Sequence, residues 1–334
     1  MLTRRKFITL GASLGLAGLL SAGCSSAVKR AGGSRLTEEG VAEASPLVSL
    51  LAPAGEGIDG KLLVVRQGSI WRWQSGQLES ITHEERFEGP AWSPDGSQLV
   101  TVLRGDNHSD LVLMDERGAL LDQLTSNFSP VSVSESVWAR HPAWSPDGST
   151  IAYCSDASSV DLSLWLIDAD GGGARLLVQA MGMGGVDWPS WSPSGREIAF
   201  AAFVHPASQI YTVETASGLV EQLTDHAGGA YDPAWSPDGE RIAYVAREGG
   251  KNDIWVTSLD GLGSTRITQS GASVSPAWSP EGDHLAFLTL TGSGFDLEVA
   301  RLETDARAGL RAAETWRLTQ DAQLEGPAGL SWTK

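Results

Sequence analysis

The string PAWSPDG occupies Pro90–Gly96, and its reading decides the fold. It returns unchanged at Pro142–Gly148 and Pro233–Gly239, as PSWSPSG at Pro189–Gly195 and as PAWSPEG at Pro276–Gly282. The opening prolines fall 43 to 52 residues apart, and each copy is followed by the same order of short apolar stretches. First come LVTVL (Leu99–Leu103), IAYCS, IAFAA, IAYVA and LAFLT. Then come LVLMD, LWLID, IYTVE, IWVTS and LEVAR, and last a stretch ending QLT, LLV, QLT, RIT or RLT. Aromatic and β-branched residues dominate these stretches, Gly, Asp and Pro mark the joins, and no helical period is sustained. Each interval is a unit of four short strands, and a repeat of this length predicts a repeat architecture.

The string itself has a mechanical reading. SPDG fits a type I turn, with Ser first, Pro of fixed φ second, Asp third and Gly fourth. The opening Pro suits the first residue of a strand. The third turn position is Asp95, Asp147 and Asp238 in three copies but Ser194 and Glu281 in the others. A turn survives that exchange and a chemical role for the carboxylate does not. Trp92, Trp144, Trp191, Trp235 and Trp278, with Trp332 near the C-terminus, share one position, where a large flat side chain fills the wedge between neighbouring units.

The ends supply a sixth unit. KLLVV (Lys61–Val65), SIWRW and LESIT match its last three strands, and LSWT (Leu330–Thr333) matches the first. The expectation is an all-β chain: a six-bladed β-propeller of four-stranded blades over 60–334, its last blade closed by N-terminal strands plus the C-terminal strand. Five strings, their spacing and the companion strands together resemble the TolB-type propeller repeat. TolB carries an α/β domain before its propeller, for which the stretch after Cys24 is too short. The resemblance implies a TolB-like lipoprotein without that domain.

At the N-terminus, TRRKF with Arg4 and Arg5 is similar to the twin-arginine export motif. The apolar run that follows is too short and too glycine-rich to span a bilayer. SAGC resembles a lipobox, which implies lipidation at Cys24. The expected organisation is 1–23 signal peptide, 24–59 tether and 60–334 propeller. The chain would be exported and lipid-anchored on the periplasmic or outer-surface side of the bacterial envelope. PLVSLLAP (Pro46–Pro53) is apolar enough to dock on the domain.

Composition removes other classes. The formal charge is −17, and losing the three cations of the signal peptide leaves −20, a surface that repels phosphate backbones and anionic headgroups. Nucleic-acid binding is not expected, and membrane attachment should be through the lipid. Cys154, the one other cysteine, reads as a small buried hydrophobe. GASLG (Gly11–Gly15) matches a serine-hydrolase elbow but lies in the signal peptide, and DADGGG (Asp168–Gly173) is placed where a hairpin turn belongs. The histidines show no metal-ligand spacing along the chain. No catalytic residue, metal or cofactor is assigned, and a monomer is expected.

The loops that lead into each first strand should share one face with the mouth of the central channel. They bring Glu88, Arg140, His141, Asp187, Trp188, Tyr231, Asp232 and Val274 to a rim, with Phe128, Val131, Val133 and Trp138 from the longest loop and Met181 and Met183 from the next. Apolar and aromatic residues on long loops of a rigid scaffold point to binding. The leading expectation is a non-catalytic scaffold for an envelope protein or peptide. The alternative is an enzyme on carbohydrate or another small substrate, with Asp187, Asp232, Glu88 and His141 meeting over the channel.

Overall fold

The computed structural model describes residues 58–334, apart from 181–183, 260–262, 293 and 306–308. Arg4, Arg5, Cys24, the stretch Pro46–Pro53, Met181 and Met183 lie outside the described residues.

The strands form six four-stranded antiparallel sheets. In blades one to five the innermost strands are Phe87–Trp92, Ala139–Trp144, Val186–Trp191, Ala230–Trp235 and Ser273–Trp278, each followed outward by the next three strands in chain order. The sixth blade pairs Lys61–Arg66, Ser69–Gln74 and Gln77–Ser80 with Ser331–Thr333. Lys61 faces Thr333 and Leu63 faces Ser331, so the two ends of the described chain close the ring in one sheet.

The core is six clusters, each shared by two adjacent blades. One joins Leu63 and Ile70 of the sixth blade to Trp92, Leu99 and Met114 of the first. Another joins Val245 and Ile254 of the fourth to Trp278 and Phe287 of the fifth. The repeated tryptophans sit in these wedges and also stitch them. Trp144 donates its indole N–H to the Ala91 carbonyl at 3.1 Å, Trp191 to Ala143 at 3.1 Å and Trp278 to Ala234 at 3.0 Å. Where Ser replaces that Ala, the stitch changes: the backbone N–H of Trp235 donates to Ser190 Oγ, and that of Trp92 to Ser331 Oγ, both at 3.0 Å. At these two seams the indole N–H is buried without an acceptor.

The SPDG turns close as the sequence predicts. Gly96 N–H bonds the Ser93 carbonyl at 2.9 Å, and Asp95 accepts from the Ser93 hydroxyl at 2.6 Å and the Ser97 N–H at 3.1 Å. Ser194 stands in with its hydroxyl, and beside Glu281 the acceptor role passes to Asp283, 3.0 Å from Ser279 Oγ. Asp168 and Gly171 close a tight turn between two strands, so DADGGG is a hairpin connection.

One expectation is corrected. The opening Pro is not the first residue of its strand; each innermost strand of blades one to five starts three residues earlier. In the first blade, Glu88 pairs with Val102 and Ala91 with Val100, so Gly89 and Pro90 together oppose Thr101. The same register shift recurs before Ala143, Ser190, Ala234 and Ala277. Pro sits in a bulge, where a missing N–H leaves the ladder intact.

Candidate functional site at the channel mouth

The bulge decides which side chains reach the axis. The residue before each Pro has a left-handed backbone: Gly89 (φ 57°), His141 (47°), Trp188 (50°), Asp232 (57°) and Ser275 (54°), and Gly329 takes the same place in the sixth blade (91°). A side chain there is strained against the following carbonyl, and a following Pro ordinarily drives its predecessor toward extended backbone. Four of the six carry a side chain nonetheless. Strain repeated at one point on the ring is what a functional constraint looks like in backbone terms. All six positions line a cavity of about 440 Å³ bounded by the innermost strands of every blade.

The dressed positions make contact with one another. His141 Nδ1 is hydrogen-bonded to Asp187 Oδ1, which also accepts the Trp188 N–H at 3.2 Å. The His141 ring stacks on Trp188 at 5.1 Å and 29°, and Trp188 lies 5.7 Å from Tyr231. The Ser275 hydroxyl donates to the Gly326 carbonyl at 2.7 Å, and Ser275 also lies beside the Asp232 carboxylate, whose charged form it favours. Blades two to five thus carry a wall of imidazole, indole, phenol and two carboxylates. At the equivalent position blades six and one carry only glycine, Gly329 and Gly89.

Burial pushes the Asp232 carboxyl up to about 6; the Asp187 charge adds to this, while Ser275 and His141 oppose it. For His141, burial works against the imidazolium, but the charge and hydrogen bond of Asp187, with Asp232 behind, outweigh it and raise the pKa above the ordinary value. Burial likewise drives Tyr231 up to about 12. Cys154, directly behind this wall, is fully buried with its thiol pushed well up, an inert packing residue.

The other predicted rim residues lie apart from this group. Glu88 pairs with Arg104 at 2.7 Å. Arg140 is exposed, and Phe128, 54% exposed, packs its ring 5.3 Å from His108. Trp138 is half-buried, its backbone N–H bonded to Asp156 at 2.8 Å. None of the four lines the axial cavity. Ser275 was missed in sequence, as were the two glycines. The signal was present: aligning the copies on Pro puts Gly, His, Trp, Asp and Ser in one column. Among the described residues no three His, Cys, Asp or Glu side chains converge as metal ligands would.

A protein-family model for the TolB beta propeller domain matches residues 133–315, more than half of the chain. The protein belongs to the TolB-type propeller family. The TolB-type chain is 29% identical over 202 residues to an uncharacterized protein of Agrobacterium fabrum, covering 59% of this chain and 61% of that one. It is 25% identical over 161 residues to dipeptidyl-peptidase 5 of Porphyromonas gingivalis, covering 44% of this chain and 23% of the peptidase. TolB from Acinetobacter baumannii superposes with a TM-score of 0.66 at 19% identity over 82% of this chain and 66% of that one, a likeness of fold. The match spans less than two thirds of each of these three proteins.

Proposed function

We propose that this TolB-type propeller is an exported, lipid-anchored envelope protein that binds a protein or peptide at the channel mouth. The observation that carries the reading is the continuous His141–Trp188–Tyr231 ring contact, in which His141 and Trp188 are displayed from strained backbone over an open axial cavity and Tyr231 packs behind Trp188. Exposed apolar side chains extend the binding surface on the same face: Val131 and Val133 in the loop that bonds Asp156, Val160 in the neighbouring loop, and Phe203, half exposed against the backbone of Gly185. Rigid aromatic anchors within an apolar, partly desolvated patch are the usual centre of polypeptide recognition. The test is crosslinking in the native envelope. One recurrent protein partner should be captured by the wild type and by Trp138→Ala, and at least tenfold less by Trp188→Ala/Tyr231→Ala with unchanged thermal unfolding. Equal capture by the double variant would sink the reading.

One observation favours a second reading. Asp187 fixes His141 through Nδ1 and leaves Nε2 without a hydrogen-bond partner among the described residues, beside a second carboxyl, Asp232. That arrangement suits proton transfer to a carbohydrate or other small substrate. Turnover of an oligosaccharide panel that disappears in His141→Ala would establish it; no turnover by the wild type would remove it.

A further inference from the structure

The six positions at the mouth are equivalent in backbone but not in what they offer. In blades six and one the position is glycine, Gly329 and Gly89, the two lying close enough that an added Cβ at Gly329 would touch Gly89 Cα at 3.7 Å. Trp188 and Asp232 on the opposite blades, and Ser275 on the neighbouring one, line the same space. The two carboxylates differ in their partners. Asp187 holds His141, while among the described residues Asp232 forms no ion pair with any Lys or Arg. The groups acting on Asp232 are Ser275, His141 and Asp187. Asp232 in turn acts on Tyr231, which also feels Arg247 and bonds Asn252. Arg140 acts on His141, and Lys334, at the far end of the cavity, is paired with Glu281. A half-open cavity with an indole in its wall and a carboxylate lacking its own cation is an incomplete recognition site.

Resting on the polypeptide-binding reading, we infer that the mouth beside Asp232 receives one arginine or lysine side chain of the bound polypeptide, its charged head on the Asp232 carboxylate and its alkyl stem against Trp188. The chemistry is complementary at both ends: a carboxylate desolvated by the channel gains most from a cation that brings its own apolar stem. The chain's net charge of −17 draws such a partner from a distance.

The test uses the full chain, 13C-labelled at aspartate carboxyls, with the Asp232 resonance identified by its loss in Asp232→Asn. The probe is n-butylguanidinium, compared with sodium chloride at equal ionic strength and with n-pentanol. Saturating probe should lower the Asp232 pKa by at least one unit, a tenfold preference for the ionised carboxylate. Sodium chloride should move it much less, and n-pentanol should not lower it. Asp232→Asn should weaken probe binding at least tenfold; should that variant fail to fold, the resonance is assigned by its loss in Asp232→Glu and the wild-type titration decides. A shift no larger than that from sodium chloride would overturn the inference. If a partner is still crosslinked at Trp188 and Tyr231 while Asp232 ignores the probe, the binding scaffold stands and only this anchor falls.

Discussion

A side chain in left-handed backbone costs about 1–2 kcal/mol relative to a relaxed residue, and His141, Trp188, Asp232 and Ser275 each carry that cost at the same point of their blades. Asp232 adds an electrostatic one. Its folded pKa stands near 6, above the unfolded value of 3.8, so its contribution to stability is full below the unfolded pKa and is lost as pH rises through the folded one. His141 acts in the same direction, since its raised pKa gives stability at low pH that is lost above the folded value. Denaturant unfolding should therefore show the wild type less stable at pH 8 than at pH 5 by about 2 kcal/mol, and Asp232→Asn should remove most of that slope. A flat profile in the wild type would mean that the carboxyl is better solvated than the structure places it. The turn residues behave in the opposite sense. Asp95 and Asp147 have depressed pKa values from the serine and backbone hydrogen bonds they accept, so what they contribute is present at neutral pH and fades on acidification. Ser194→Asp should bring the third blade's turn to the same chemistry and raise stability by about 0.5 kcal/mol, measurable as a higher melting temperature.

Four of the outer edges are fastened by a device that the sequence displayed without explaining. The threonine that ends the last stretch of a blade lies just beyond the strand. Thr319 Oγ accepts the Leu297 N–H at 2.9 Å and donates to Asp296 Oδ1 at 3.0 Å, and Asp296 also accepts from the Ala322 N–H at 2.9 Å. Thr125 with Asp110, Thr268 with Asp253 and Thr224 with Gln209 repeat the bolt. The second blade, with Ser163 and Val178 at these places, lacks it. These buried acids are therefore structural. Thr319→Val should cost about 2 kcal/mol, because it leaves a buried amide and a buried carboxylate each short of a partner; loss of under 0.5 kcal/mol in chemical denaturation would contradict the bolt. Strand order and turn type were legible because each rests on local chemistry repeated five times. The bulge was not: Pro reads equally well as the start of a strand or as an interruption within one, and only the register of the partner strand distinguishes them. Similarly, Trp138 looked like a rim residue from its loop, but its neighbours turn it partly inward.

For the ring as a whole, closure depends on three residues at the C-terminus, Ser331–Thr333. Their removal with Lys334 exposes the edge of Lys61–Arg66, strips Trp332 from the wedge and takes away the Ser331 hydroxyl that bonds Trp92. Truncation after Leu330 should give aggregates or a protease-sensitive form where the full chain does not, read by size exclusion and limited proteolysis; a soluble, resistant truncation would show that the ring holds without this strand. Six blades could be counted from the sequence because the repeat is strict. Which residues meet at the axis could not, since His141 and Asp187 are neighbours only once the ring has brought successive blades side by side. The bulge has one more consequence, for how such a mouth is specified. Because the residue before each Pro lies outside the strand ladder, its side chain can be exchanged without altering register, pairing or the wedge behind it. The ring is in effect a dial with six interchangeable faces, and its present setting leaves two of them blank, so a partner that reads it can be seated in one rotation only.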